Sequence, residues 1–335
     1  MRLVLCLLAA LAFGACDDDD DDPVDPVPDA AVPETWGPAF DPADQGALLS
    51  VFGEAPDDIW TVGGQPEAGV AWHFDGQAWA QATLPDGPLL NWVHGAGGVL
   101  WMVGNEGRAL RRVGDGAIEA VPTPVTAPLW GVWAASADEA WAVGGEARDD
   151  GTEADPVILH FTGGAWERVA IPEVDRGFRA LFKVFGLGPG QVYAVGARGV
   201  ALRYDGAGWA QIPTGTGEDL ISLWGNSEAD LAVVGGRSNG VFGRLADGGF
   251  QTQVAVGQPG FNGVFVQADG VAWVAANRGV LLQVPAGALD GTRVATGTRE
   301  VLHGIWGTAT GHRVAVGGSL DSSPPWVGVA LEVGR

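Results

Sequence analysis

Short apolar runs separated by turn residues repeat along most of the chain. One unit starts at Leu129 and reads LWGVWAASADEAWAVGG, followed by an acidic loop and VILHFTGGAW. The small residue that ends the second apolar run returns about every forty residues, at Gly63, Gly104, Gly144, Gly196, Gly235, Ala276 and Gly317. Four strand-like pieces at a period near forty are typical of a propeller blade. The sequence therefore predicts an all-β, seven-bladed β-propeller with four-stranded blades.

Each unit has the pattern of four strands. The first two runs are apolar throughout, as expected of strands buried between neighbouring blades. The third run alternates and carries a polar column at His73, Arg112, His160, Arg203, Arg244, Gln283 and Glu332. The seventh unit ends at Arg335 before any outer strand, whereas Glu34–Phe40 precedes the first unit and places Trp36 like the tryptophans that begin outer strands. We therefore predict that this N-terminal segment closes the last blade.

The innermost runs supply candidate ligand-binding residues. They give a column of mostly small or polar side chains that we expect to face the central channel, at Ser50, Asn91, Gly131, Lys183, Ser222, Gly263 and Gly304. Lys183 is the only lysine of the chain and is either a site for an anionic ligand or a solvated channel residue. Asn91 and Ser222 are further candidates. Trp130 and Trp326 interrupt the tryptophan register and are candidates for stacking on a sugar.

The segment 145–156 is the one long departure from the period. It carries several carboxylates, among them Asp149, Asp150 and Asp155, which are weak candidates for a calcium site. The alternative interpretation is a solvated acidic loop. Insertions in repeat arrays often lie on the binding face, so this loop is the best one to test. No catalytic residues are predicted, because no pair of carboxylates and no nucleophile with a base converge in the pattern.

Composition limits the partners that this chain can bind. It has 18 basic against 41 acidic side chains, and its formal net charge is −23. A nucleic-acid partner requires a positive surface that displaces counterions from phosphates, so we predict none. The 54 glycines and 21 prolines suit many short strands joined by tight turns. We predict a monomer without a cofactor.

The N-terminus has the pattern of an export signal. One basic residue is followed by the apolar run Leu3–Phe13, which is too short to span a bilayer as a helix. Residues 11–16, LAFGAC, resemble the lipobox of bacterial lipoproteins, which implies cleavage before Cys16 and acylation, palmitate included, of its thiol. The alternative is an ordinary signal peptide cut after Ala15. We predict a signal peptide at 1–15, a lipidated Asp/Pro-rich tether at 16–33 that stays extended because its carboxylates repel, and the propeller at 34–335.

The repeat over residues 48–333 resembles that of exported bacterial propellers related to the Asp-box (BNR) and photosystem II assembly-factor type. The shared pattern is visible in WGVWAASADEAWAVG and in the hairpin VAWHFDGQAW, which ends at Trp79. The resemblance implies the propeller fold. An Asp-box has the spacing Asp-x-Gly-x-x-Trp, whereas Asp75-Gly-Gln-Ala-Trp79 is one residue shorter, so sialidase activity is not implied.

These patterns predict a non-catalytic protein-binding or scaffold module, anchored by lipid to the bacterial cell envelope. We expect it at the outer membrane or the cell surface rather than at the inner membrane. Propeller faces are broad, rigid and rimmed by variable loops, which suits recognition of another protein. The alternative is a glycan-binding, lectin-like propeller, and a glycoside hydrolase or lyase ranks behind both.

Overall fold

A computed structural model describes residues 35–148, 153–320 and 323–335. Its strands form seven separate four-stranded antiparallel sheets, which are the blades of a β-propeller, and this confirms the predicted fold. Blades 1 to 6 each take four consecutive strands. In blade 7 the order is β1-β28-β27-β26, so that the first strand of the chain is the outer strand of the last blade.

The inner two strands of each blade come from the apolar runs. The innermost strands are β2 (Ala47–Ala55), β6 (Leu90–Ala96), β10 (Leu129–Ala134), β14 (Leu181–Gly188), β18 (Leu220–Trp224), β22 (Phe261–Val266) and β26 (Leu302–Gly307). The second strands are β3 (Asp58–Gln65), β7 (Val99–Gly104), β11 (Ala140–Gly144), β15 (Gln191–Gly196), β19 (Ala232–Gly235), β23 (Ala272–Ala276) and β27 (Arg313–Gly318). Nearly all of their residues are buried, because each inner sheet lies between two neighbouring blades.

The outer two strands are more exposed and, except in blade 5, not longer than the innermost strand of their blade. The third strands are β4 (Ala68–Phe74), β8 (Ala109–Val113), β12 (Val157–Thr162), β16 (Ala201–Tyr204), β20 (Gly240–Ala246), β24 (Leu281–Val284) and β28 (Gly328–Val333). The outer strands are β5 (Trp79–Gln81), β9 (Glu119–Ala120), β13 (Ala165–Arg168), β17 (Trp209–Gln211), β21 (Gly249–Ala255), β25 (Thr292–Val294) and β1 (Gly37–Pro38). Short 3-10 turns occupy Ala43–Gln45, Asn105–Gly107, Ala197–Gly199 and Asn277–Gly279.

The N-terminal segment closes the ring as predicted. Gly37 and Pro38 pair with Glu332 and Leu331, and the Ala39 amide donates to the Ala330 carbonyl at 3.0 Å. Trp36 is buried in a core cluster that extends over blades 6, 7, 1 and 2. Phe40 then packs on blade 1, with its ring centroid 4.6 Å from that of Trp72. Both the strand pairing and these aromatic contacts therefore join the last blade to the first.

In blades 1 and 3 the polar column of the third strands covers an aromatic residue of the second strand. His73 stacks on Trp60 at 4.2 Å between ring centroids, and its Nε2 lies 2.8 Å from Asp58 Oδ1. His160, Trp141 and Glu139 repeat this arrangement in blade 3. The predicted member of the column in blade 2 was wrong by one residue, because Arg111 and not Arg112 stands opposite Trp101.

Candidate functional site

Every innermost strand contains a β-bulge, which is one extra residue near its start. The register around the bulge shows that one member of the predicted channel column was misplaced. In blade 1 the pairing passes from Leu48 to Ser50, and in blade 2 it passes from Leu90 to Trp92. Asn91 is therefore the bulged residue, and Trp92 takes the position that Ser50 has in blade 1. The remaining members of the predicted column share one register: Ser50, Gly131, Lys183, Ser222, Gly263 and Gly304.

The polar residues of this region mainly join neighbouring blades. Asn91 is buried, and its Nδ2 donates to Asn105 Oδ1 at 3.1 Å and to the Leu129 carbonyl at 3.0 Å. Asn262 repeats these two bonds in blade 6, with Asn277 and Leu302 as acceptors. An amide side chain at the bulge thus links the inner strand to its own blade's turn and to the next blade.

Ser50 has a similar linking role, since its Oγ accepts a hydrogen bond from the Val93 amide of the next blade at 3.2 Å. Ser222 occupies the equivalent position in blade 5 and is also buried, with 1% of its surface exposed. The structure therefore places the candidates Asn91 and Ser222 inside the packed centre of the ring.

Lys183 is buried, so the alternative that it is a solvated channel residue is wrong. Only 2% of its surface is exposed, and its Nζ lies over the Trp92 ring without a hydrogen-bond partner among the described residues. Burial holds the pKa of the Lys183 amine well below its usual value. The glycine at position 131 lets the backbone of blade 4 approach blade 3 closely, because a Cβ at Gly131 would lie 3.0 Å from Lys183 Cα.

A tier of aromatic side chains fills the axis, and sequence analysis missed it. Each innermost strand contributes one ring, four residues after its first paired leucine or phenylalanine, and we call these seven residues the aromatic tier: Phe52, His94, Trp133, Phe185, Trp224, Phe265 and Trp306. In four of the seven blades a neighbouring ring lies against the glycine that follows the tier residue, at Gly53, Gly95, Gly186 and Gly307. The repeated aromatic–glycine dipeptide is therefore the sequence signal for this tier.

Trp224 lies at the centre of the aromatic tier. The blade that follows it carries Val266 at a position where blade 3 has Ala134 and the other five blades have glycine, so the indole has less room over that blade. Its ring centroid lies 4.9 Å from Phe185, 6.1 Å from His94 and 6.4 Å from Phe52. Rings from opposite sides of the propeller thus meet at this level of the axis.

His94 is the one titratable member of the aromatic tier. Burial lowers the pKa of its imidazole to about 3, and the nearby Lys183 amine acts in the same direction. Its Nδ1 accepts a hydrogen bond from the Ala134 amide at 3.2 Å, which holds the ring towards blade 3.

The two tryptophans proposed for sugar stacking lie away from each other and are half-buried. Trp130 is the bulged residue of blade 3 and donates from Nε1 to the Gly145 carbonyl at 2.8 Å. Trp326 exchanges two backbone hydrogen bonds, both of 2.9 Å, with the side chain of Gln65. The structure does not bring them together, and their role in ligand binding stays a prediction.

The acidic insertion is only partly described. Asp155 forms an ion pair with Arg168, whereas Asp149 and Asp150 lie outside the described residues, as does Cys16. Within the ranges that are described, no group of three or more His, Cys, Asp or Glu side chains is arranged to hold a metal ion. Among those same residues, no helix is long and apolar enough to cross a membrane.

A polar cleft of about 390 Å³ opens at the rim between blades 5 and 6. Its lining includes two arginines, Arg278 and Arg293, and the polar residues Ser238, Asn239 and Gln258, but no carboxylate. Arg293 is held in place by Gln258 Oε1 at 2.7 Å and by the Gly257 carbonyl at 2.8 Å. We call this the arginine cleft. Sequence analysis missed it, because its residues come from turns and strands of two different repeats.

Solved structures show which proteins share this fold. YCF48 from Cyanidioschyzon merolae superposes with a TM-score of 0.67 at 14% identity, over 90% of this chain and 98% of that one. A structure of YCF48 bound to D1 peptide gives 0.65 at 15% identity, over 91% and 100%. The extracellular domain of the putative hybrid two-component system BT3049 from B. thetaiotaomicron gives 0.63 at 10%, over 90% of this chain and 42% of that one. No protein-family model and no curated protein matches the sequence. At these identities the shared property is the fold.

Proposed function

We propose that this protein is a lipid-anchored, non-catalytic propeller of the bacterial cell envelope that binds another protein. The observation that carries this proposal is where the accessible surface lies. Aromatic rings fill the axis at the level of the aromatic tier, whereas the rim between the outer strands is open and rich in polar groups. A rigid closed ring with a variable rim suits recognition of a protein surface or an extended peptide. The YCF48 structure with D1 peptide supports this by analogy.

Recovery of the same partner in both directions tests the binding function. The full-length protein, tagged after Arg335 and cross-linked in its own envelope, should retain one envelope protein, and that protein, tagged in turn, should retain the propeller. Replacing segment 145–156 by a short Gly/Ser linker should weaken recovery if the insertion lies on the binding face. If nothing is recovered in either direction, while a glycan array or a glycoside panel gives a signal, the protein-binding function is wrong.

The anchor is tested separately through the two cysteines of the chain. Cys16→Ser should abolish incorporation of a clickable palmitate analogue and release the protein from the membrane fraction, because two or more acyl chains supply the stable attachment. Cys6→Ser is the matched control, since Cys6 lies in the predicted signal peptide and should leave labelling unchanged. Equal labelling of the Cys16→Ser variant would rule out lipidation at Cys16.

A further inference from the structure

The outer strand of blade 5 differs from the other six. β21 has seven residues, whereas the others have two to four. Its sequence, GFQTQVA, contains no charged residue and no proline, which are the residues that normally protect an exposed sheet edge from pairing. Blade 5 therefore presents the longest and least protected strand edge of the described chain.

The register shows which backbone groups of β21 point outward. The Phe250 amide faces away from β20, because it donates to the Pro213 carbonyl at 2.8 Å. The direction of the backbone N–H and C=O groups alternates along a strand, so the amides and carbonyls of Thr252 and Val254 also point outward. The segment at Pro213 covers the start of the edge, and Thr214 accepts a bond from Thr252 Oγ1 at 2.8 Å. Around Val254 the edge is open, and among the described residues its outward amide has no hydrogen-bond partner.

Apolar side chains are exposed at this open end. The chain has four large hydrophobic residues that are exposed in its described part, and two of them are Val254 and Val256, which are 46% and 90% exposed. Val256 lies at a small pocket of about 70 Å³, whose lining includes Phe242, Leu282 and Leu289 and also Asp290, which accepts a hydrogen bond from Gln253 Nε2 at 2.8 Å. A strand added at the edge would cover part of this apolar surface.

The same end of β21 leads directly to the arginine cleft. The Gln258 amide donates to the Ala255 carbonyl at 3.0 Å, and this turn brings Gln258 and Gly257 to Arg293. Arg278 starts from a left-handed backbone position, with φ of 61°, and makes no ion pair with a described residue. Neither Arg278 nor Arg293 forms an ion pair with a described residue, and both line the cleft at the end of the open strand edge, in a chain whose net charge is −23.

We propose that the edge of blade 5 receives an extended segment of a partner protein as a fifth strand, antiparallel to β21, with an acidic side chain in the arginine cleft. Antiparallel pairing is the pattern of the blade, so the partner's chain runs from the cleft towards Thr252. The acidic residue of the partner then lies on the N-terminal side of the paired stretch. Backbone bonds supply affinity, and the arginine–carboxylate contact supplies direction and selectivity. This inference rests on the proposed protein-binding function and names its site.

Selection from a random peptide library displayed on phage, against the full-length protein, tests this site. We expect enriched peptides to carry Asp or Glu followed by an alternating β-branched stretch. Their binding should fall about tenfold or more with Val254→Pro, which removes the outward amide but no bond of the β20–β21 ladder. Val254→Thr is the matched control, because it keeps the amide and should keep binding. Both variants should melt near the parent temperature, which separates loss of the site from loss of the fold.

Two further measurements locate the peptide. Hydrogen exchange at Thr252 and Val254 should slow when peptide is bound, and Arg278→Gln or Arg293→Gln should remove the preference for the acidic residue. The site is refuted if enriched peptides bind the Val254→Pro variant as well as they bind the parent, or if none is enriched. An envelope partner that is still recovered by the Val254→Pro variant would leave the protein-binding function standing and place it elsewhere on the propeller.

Discussion

A methyl group added at Gly53 would collide with the indole of Trp306. The Cβ of an alanine there would lie 2.5 Å from Cη2, 2.7 Å from Cζ2 and 2.9 Å from Cζ3 of that ring. Unstrained carbon–carbon contacts lie near 3.5–4.0 Å, so the ring must retreat by about 1 Å. It has little room to do so, because Trp306 is buried and the Phe265 ring lies beside it at 6.2 Å between centroids.

The expected cost of Gly53→Ala is about 2–3 kcal/mol, the upper part of the range for an overpacked core, since three ring atoms clash at once. For a domain of about 300 residues that lowers the melting temperature by roughly 3–5 °C. Gly188→Ala is the matched control, because Gly188 also lies in an innermost strand and has no atom within 4 Å of its would-be Cβ. That variant should be neutral or slightly stabilising, by up to about 1 kcal/mol.

Urea unfolding of both variants measures the difference between them. A double variant, Gly53→Ala with Trp306→Phe, should recover part of the loss, because the smaller ring leaves space for the methyl group. Equal stability of the Gly53→Ala and Gly188→Ala variants would refute the steric role of glycine beside the aromatic tier. The absence of any coupling in the double variant would refute the assignment of Trp306 as the clashing group.

Three further variants test the closure and the axis. Trp36→Ala should cost about 3–5 kcal/mol in urea unfolding, because it empties the core at the closing strand; a loss below 1 kcal/mol would argue against closure by this segment. His94→Phe should flatten the loss of stability as pH falls from 6.5 towards 3, since the unfolded state binds a proton that the buried imidazole, with a pKa of about 3, does not; identical pH profiles would contradict this. Lys183→Met should raise stability at pH 7 by about 1–3 kcal/mol and less above pH 10, because it removes a buried amine without a hydrogen-bond partner; destabilisation at pH 7 would show that the amine has a favourable contact.

The blade count and the closure could be predicted because both depend on local pattern. Apolar runs, glycine turns and the leading Trp36 each carry their signal within a few residues. The column of the inner strands was harder to predict, because the position of the bulge is not visible in the sequence. Similarity of side chains is then a poor guide to the register. Asn91 resembles Ser50 chemically, yet the register gives that position to Trp92.

Contacts across the axis were beyond prediction from the sequence. The burial of Lys183 depends on Trp92 and on the small Gly131, and these three residues come from three different repeats. The length of β21 could have been predicted more easily. Phe250, Thr252 and Val254 stand at every second position of a stretch without charges, and this alternation favours a long strand. Phe250 alone indicates only where the strand begins.

Closure of blade 7 by β1 also determines when the protein can fold. The pairing of Gly37 with Glu332 joins the first and the last strands of the propeller, so blade 7 stays incomplete until β28 has been synthesised. If the chain is exported unfolded, as the N-terminal pattern predicts, blade 7 is completed only after both β1 and β28 have crossed the membrane. A version truncated before β28 would expose the edge of β27 and leave β1 without a partner strand, which favours rapid proteolysis of the incomplete propeller.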